Sequence, residues 1–195
     1  MPTLGQVCQL ITELGADQVT LCVELKTHPS WLSTEVRKLT ESALGTLAAH
    51  QVIGQSRILA FDWRVLRAAA AAESSVPRVA LVEPSTWRAG SGWLAGLDPT
   101  RYGDGPGGYV AAARDVGAAW ISPEDQMTDA DLVAAAHRDG LRVAVWTVND
   151  PARMDELTAL GVDGIVSDRP DLFLKGGNDG LREADELRSG RDPGL

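Results

Sequence analysis

Residues 142–167 read RVAVWTVNDPARMDELTALGVDGIVS, and this stretch decides how the chain is built. Its first seven residues, RVAVWTV, are rich in valine and read as a strand covered on its faces. Asp150 stands directly before Pro151, an N-cap followed by the helical position where a missing N–H costs nothing. Gly161 then closes the helix at the place where a left-handed backbone is wanted. Residues 163–167 resume a short apolar run. Strand, helix and strand in immediate succession make a parallel unit with a right-handed crossover.

The same unit recurs upstream. Candidate strands are 18–25, 57–61, 77–82, 119–122, 142–148 and 163–167, and candidate helices are 4–14, 34–49, 63–74, 107–116, 129–139 and 151–160. Gly15, Gly117 and Gly140 stand where Gly161 does, between an amphipathic stretch and a strand. The first helix shows a stripe of Leu4, Val7, Cys8, Leu10, Ile11 and Leu14 at helical spacing. Thr128 with Asp131 resembles a capping box. Repeated units of this kind give either an open doubly wound sheet or most of a (β/α)8 barrel. Periodicity alone does not choose.

Composition narrows the function classes. The 195 residues hold 18 basic and 27 acidic side chains, a net charge of −9. Such a surface is ill suited to nucleic acid or an anionic membrane, where Lys and Arg must neutralise phosphates. Cys8 and Cys22 form neither a disulfide framework nor a zinc motif. No apolar run approaches the roughly 18 residues of a membrane span, and the first residues lack a signal peptide's regions. A cytoplasmic location is therefore expected. Residues 1–175 read as one domain, and the polar stretch 176–195 as a disordered tail.

Glu24 and Lys26 stand two apart near the end of the first strand, so both share the face of Cys22. A carboxylate and an ammonium there are costly unless they bind something or pair with each other. One reading is a metal-binding glutamate beside a phosphate-binding lysine; the other is an ion pair at the rim. Trp146, near the end of its strand, either walls a pocket or fills the interior. His28 follows the Glu24–Lys26 strand end and is the histidine placed nearest a site. His50 and His137 lie near helix C-termini, where an imidazole can bond the last carbonyls. Residues 83–106 form a long loop rich in Gly, Trp and Pro on the face where such folds place their sites. Its aromatics Trp87, Trp93 and Tyr102 read mainly as cover for a core edge.

Residues 142–173 resemble the closing segment of the glycerophosphodiester phosphodiesterases. PTLGQV at 2–7, VELK at 23–26 and FDWRVL at 61–66 agree in order and spacing. The resemblance spans about residues 2–174. It implies an α/β fold, an incomplete (β/α)8 TIM barrel with strands three to eight present. It also implies metal-dependent hydrolysis of glycerophosphodiesters to glycerol 3-phosphate and an alcohol, with Mg2+ or Ca2+ as the divalent metal. Glu24 matches the family's metal-binding glutamate, Lys26 the lysine near the phosphate, and Trp146 a tryptophan on the glycerol side. Phe61 matches an aromatic near the site, with Ala60 where a serine often precedes it.

The family's His-Arg-Gly strand, Glu-x-Asp strand and His-Asp pair have no counterpart in this chain. The expectations are therefore an inactive 195-residue chain, two bare sheet edges and self-association through them. The alternative is a non-catalytic truncated barrel that binds a phosphorylated ligand or a partner chain.

Overall fold

The computed structural model describes residues 1–103 and 105–172. The proposed tail 176–195 lies outside them. The strands are β1 (Leu21–Glu24), β2 (Ser56–Ala60), β3 (Arg78–Val82), β4 (Trp120–Pro123), β5 (Arg142–Val145) and β6 (Gly164–Ile165). All neighbours are parallel and the sheet runs in strict chain order, β1 to β6. The helices are α1 (Leu4–Glu13), α2 (Ser33–Ala49), α3 (Trp63–Ala72), α4 (Pro106–Asp115), α5 (Ala130–Arg138) and α6 (Pro151–Leu160). A helix follows each of β1 to β5, as the repeated unit requires.

Register fixes which side chains share a face. Glu24 lies opposite Leu59, Val79 opposite Trp120, and Trp120 opposite Arg142. Ile58 and Ala60 of β2 are fully buried in a core with Val65, Leu66 and Ala69 of α3. The opposite face curls. Phe61 just past β2 and Trp146 just past β5 have ring centroids 5.5 Å apart. In a flat sheet three strand intervals would separate them by roughly 14 Å. Contact across that gap means a concave half-barrel, which excludes the doubly wound alternative. Six parallel strands curled in this way are consistent with a partial (β/α)8 barrel.

Several local expectations change. The N-cap of α5 is Asp129, whose Oδ1 accepts from the Leu132 N–H at 2.8 Å. Thr128 instead donates to the Glu124 carbonyl, because its hydroxyl lies back over a 3-10 turn at Asp125–Met127. The strand expected over 142–148 ends at Val145, with Trp146 continuing only as an isolated bridge to Glu124. Within 83–106, Pro99–Arg101 form a 3-10 turn. Trp87 does cover the core: it lies 6.2 Å from Trp63 and 5.7 Å from Tyr109, between ring centroids.

His137 does not bond helix carbonyls. Its Nε2 meets Asp163 Oδ2 at 2.9 Å, and the same oxygen accepts from the Val143 N–H at 2.8 Å. Burial alone would raise the Asp163 carboxyl, but the amide and the imidazole outweigh it and hold the group below its ordinary value. A carboxyl depressed in the folded state stabilises above its unfolded value, near 3.9, and loses that contribution as pH falls through the folded value. Asp163→Asn is therefore expected to cost about 1 kcal/mol at pH 7, the scale of one such hydrogen bond. Thermal melts should show the difference shrinking below about pH 3; an equal difference at pH 7 and pH 2.5 would exclude the linkage.

Candidate functional site

The carboxyl ends of β1 and β2 open onto a cavity of about 170 Å³ lined by Glu24, Lys26, Thr27, Phe61, Asp62 and Trp93. Strand alternation sends Glu24 and Lys26 to one face, and the β1–β2 register places Phe61 beside them. Lys26 Nζ lies 2.7 Å from Glu24 Oε1, with the lysine side chain 79% exposed and the glutamate 31%. The ion pair anticipated at the rim thus exists, and it sits on the cavity wall. So exposed a pair adds little stability, which leaves both groups available to a ligand.

Trp146 joins the site through Phe61. The two rings meet edge to face at 84°, and Trp146 Nε1 donates to the Ser122 carbonyl at 2.9 Å. That bond fixes the half-buried indole, which meets the cavity through Phe61 and does not itself line it. The Trp146–Thr147 peptide is cis. Trp93, expected to cover a core edge, instead lines the cavity and packs edge-on against His28 at 6.0 Å. His28 Nδ1 accepts the Ser30 N–H at 3.2 Å, which puts the proton of the neutral ring on Nε2. His28 does not line the cavity.

Two residues escaped the sequence reading. Asp62 is fully buried, with its carboxylate 2.6 Å from Arg64 Nη2 and accepting the Thr27 hydroxyl at 2.7 Å. It also caps α3 through the Arg64 N–H. Arg64 in turn donates to the carbonyls of Trp31 at 2.8 Å and His28 at 3.0 Å. Hydrogen bonding to Asp62 holds the guanidinium above its already high value. This latch ties the loop after β1 to the start of α3, so it positions the segment that carries Lys26. On the far side, a Cβ on Gly92 would lie 2.8 Å from Pro29 Cβ, so close an approach admits only glycine. The available signal was Asp-x-Arg directly after a strand: an N-cap acid whose arginine partner can reach back.

A hard divalent cation takes six or more oxygen ligands, typically from several carboxylates. Glu24 brings one carboxylate, already paired with Lys26, and no group of three His, Cys, Asp or Glu among the described residues is placed to hold a metal. By themselves these residues do not fit such an ion. No helix among them is long and apolar enough to cross a membrane.

Comparison with known proteins bears on the same region. The sequence model of the Glycerophosphoryl diester phosphodiesterase family matches residues 2–172. YhdW of Bacillus subtilis, a candidate glycerophosphodiester phosphodiesterase, is 41% identical over 46 residues, 24% of this chain and 19% of that one. The fold is similar to that of a candidate glycerophosphoryl diester phosphodiesterase from Silicibacter pomeroyi, at TM-score 0.75 and 26% identity over 88% of this chain. It also matches a phosphodiesterase from Oleispira antarctica solved with its product sn-glycerol-3-phosphate, at TM-score 0.64 and 21% identity over 91% of this chain. The chain spans only 54% and 61% of those two proteins.

Proposed function

The chain belongs to the glycerophosphoryl diester phosphodiesterase family, and from that premise we propose that it forms the phosphate- and glycerol-facing part of a glycerophosphodiester hydrolase. In this reading β1 to β6 are strands three to eight of a (β/α)8 barrel. The observation that carries it is the convergence of Glu24, Lys26, Phe61 and Trp146 at one end of the curled sheet. Catalytic groups of such barrels gather at that end.

The roles follow from the chemistry of each group. Lys26, flexible and exposed, neutralises a phosphodiester oxygen as a point charge. Phe61 and Trp146 offer an apolar wall to the carbon face of a glycerol unit. Glu24 would supply one carboxylate to a divalent ion, Mg2+ or Ca2+, only where further oxygen ligands joined it, since alone it does not make such a site. The general acid and base of hydrolysis would likewise come from other residues, since the carboxylates lining the cavity are each engaged, Glu24 with Lys26 and Asp62 with Arg64.

Two outcomes are expected. The purified 195-residue chain should release no glycerol 3-phosphate from glycerophosphocholine with Mg2+ or Ca2+, whereas supplying two further βα units bearing the family's His, Glu and Asp motifs should restore release. Metal-dependent turnover by the 195-residue chain, abolished by Glu24→Ala, would overturn the division of roles. Among the described residues β1 and β6 each pair on one side only, so self-association is expected, and a clean monomer by light scattering would count against the barrel reading.

A further inference from the structure

Trp146 stands one residue beyond the end of β5, where the continuous ladder with β4 has stopped. Three hydrogen bonds hold it, all from the end of β4 and the turn behind it. The indole Nε1 donates to the Ser122 carbonyl at 2.9 Å, and the Trp146 N–H donates to the Pro123 carbonyl at 3.2 Å. The Trp146 carbonyl accepts the Asp125 N–H at 2.7 Å, the shortest of the three. Asp125 is the first residue of the 3-10 turn Asp125–Met127, so the place of the indole depends on what holds that turn.

The turn is anchored from α6. Arg153 Nε donates to Asp125 Oδ1 at 2.7 Å, and Nη2 donates to the carbonyls of Asp125 at 3.4 Å and Thr128 at 3.0 Å. One guanidinium thus grips both ends of the turn. The Arg153 side chain is 26% exposed and that of Asp125 30%, so this charged pair is better shielded than an ordinary surface pair. Arg153 lies in the first turn of α6, where a cation opposes the helix dipole and no acid of that turn compensates it. Glu156, 3.1 Å from Nη1, is 65% exposed and offsets little. A side chain placed against local preference in this way points to a task in the tertiary structure.

We propose that Arg153 is a positioning residue for Trp146, acting through the Asp125 turn. It does not line the cavity. The contacts run from Arg153 to Asp125, from Asp125 to the Trp146 carbonyl, and from the indole to Phe61 on the cavity wall. Losing the guanidinium frees the turn, and with it the bond that fixes the ring behind Phe61. The consequence for a ligand rests on the proposed function, in which Phe61 and Trp146 meet the glycerol unit. The position of the indole does not rest on it.

Labelling the full 195-residue chain with 5-fluorotryptophan gives one fluorine resonance for each of its six tryptophans, and Trp146→Phe identifies that of Trp146. In Arg153→Gln this resonance is expected to move by more than its linewidth while the other five stay in place. Asp125→Asn should move it too, and the double variant no further than Arg153→Gln alone, because the two side chains act in series. Glu156→Gln removes the exposed partner and should leave the resonance where it was. Should Arg153→Gln fail to fold, Asp125→Asn set against Glu156→Gln carries the same test. Calorimetry with sn-glycerol 3-phosphate should show binding weakened about tenfold in Arg153→Gln, with inorganic phosphate, held by Lys26, within about twofold of the parent. An unmoved Trp146 resonance, movement of all six together, or an equal movement in Glu156→Gln would each overturn the proposal. A moved resonance with unchanged sn-glycerol 3-phosphate binding, or a parent chain that binds neither ligand, would overturn the functional reading and leave the role of Arg153 standing on the resonances.

Discussion

Asp62→Ala should lower the melting temperature of this chain by roughly 10 °C, more than other single changes at the rim. The carboxylate is fully buried and receives Arg64, Thr27 and the first turn of α3 together. Removing one partner of such a pair leaves a guanidinium half-desolvated, which costs about 3–5 kcal/mol. For a domain of this size each kcal/mol shifts the midpoint by roughly 2–4 °C. Asp62→Asn keeps the shape and part of the cap, so its loss should be about half as large. In the Arg64→Ala background the Asp62→Ala cost should shrink, since the two side chains act as one unit. A drop below about 3 °C for Asp62→Ala, or strict additivity with Arg64→Ala, would show that the latch does not hold the loop.

Glu24→Gln is expected to reduce kcat/KM roughly 100-fold, about 2.7 kcal/mol, in a protein whose barrel has been completed as proposed. The substitution preserves the volume of the side chain and deletes only its charge. Stability should barely change, because the pair with Lys26 is largely exposed. Metal affinity, measured by calorimetry, should fall in parallel with turnover. If both stay within twofold of the parent, Glu24 is a partner for Lys26 and nothing more. Stability and activity measurements would thus separate the two residues, Asp62 acting through structure and, in the proposed reading, Glu24 through charge.

Elements such as α6 were legible in the sequence because their signals are local in the chain. Asp150 and Pro151 at one end and Gly161 at the other bound the helix as read, since capping depends on neighbouring backbone groups. The parallel direction of the strands followed from the crossover rule, and the shared face of Glu24 and Lys26 from simple alternation, whereas the order of the strands did not. The strand after Leu141 was read three residues too long, because a valine-rich run does not reveal where a neighbour stops pairing with it. The long stretch 142–173 together with three short motifs, taken in order, pointed to the family without any contact being known.

What tertiary structure alone decided is how far the sheet bends and what that bending brings together. Phe61 and Trp146 are 85 positions apart (146 − 61), and only the curl sets their rings in contact. The same curl stacks Arg57 and Arg142 on Trp120 at the other end. Asp62 became a latch because α3 begins where the loop from β1 passes overhead, offering the carbonyls of His28 and Trp31 to Arg64. Periodicity reports which face a residue occupies, whereas the partners on that face depend on twist and curvature summed over the whole sheet. No local stretch of sequence encodes that sum.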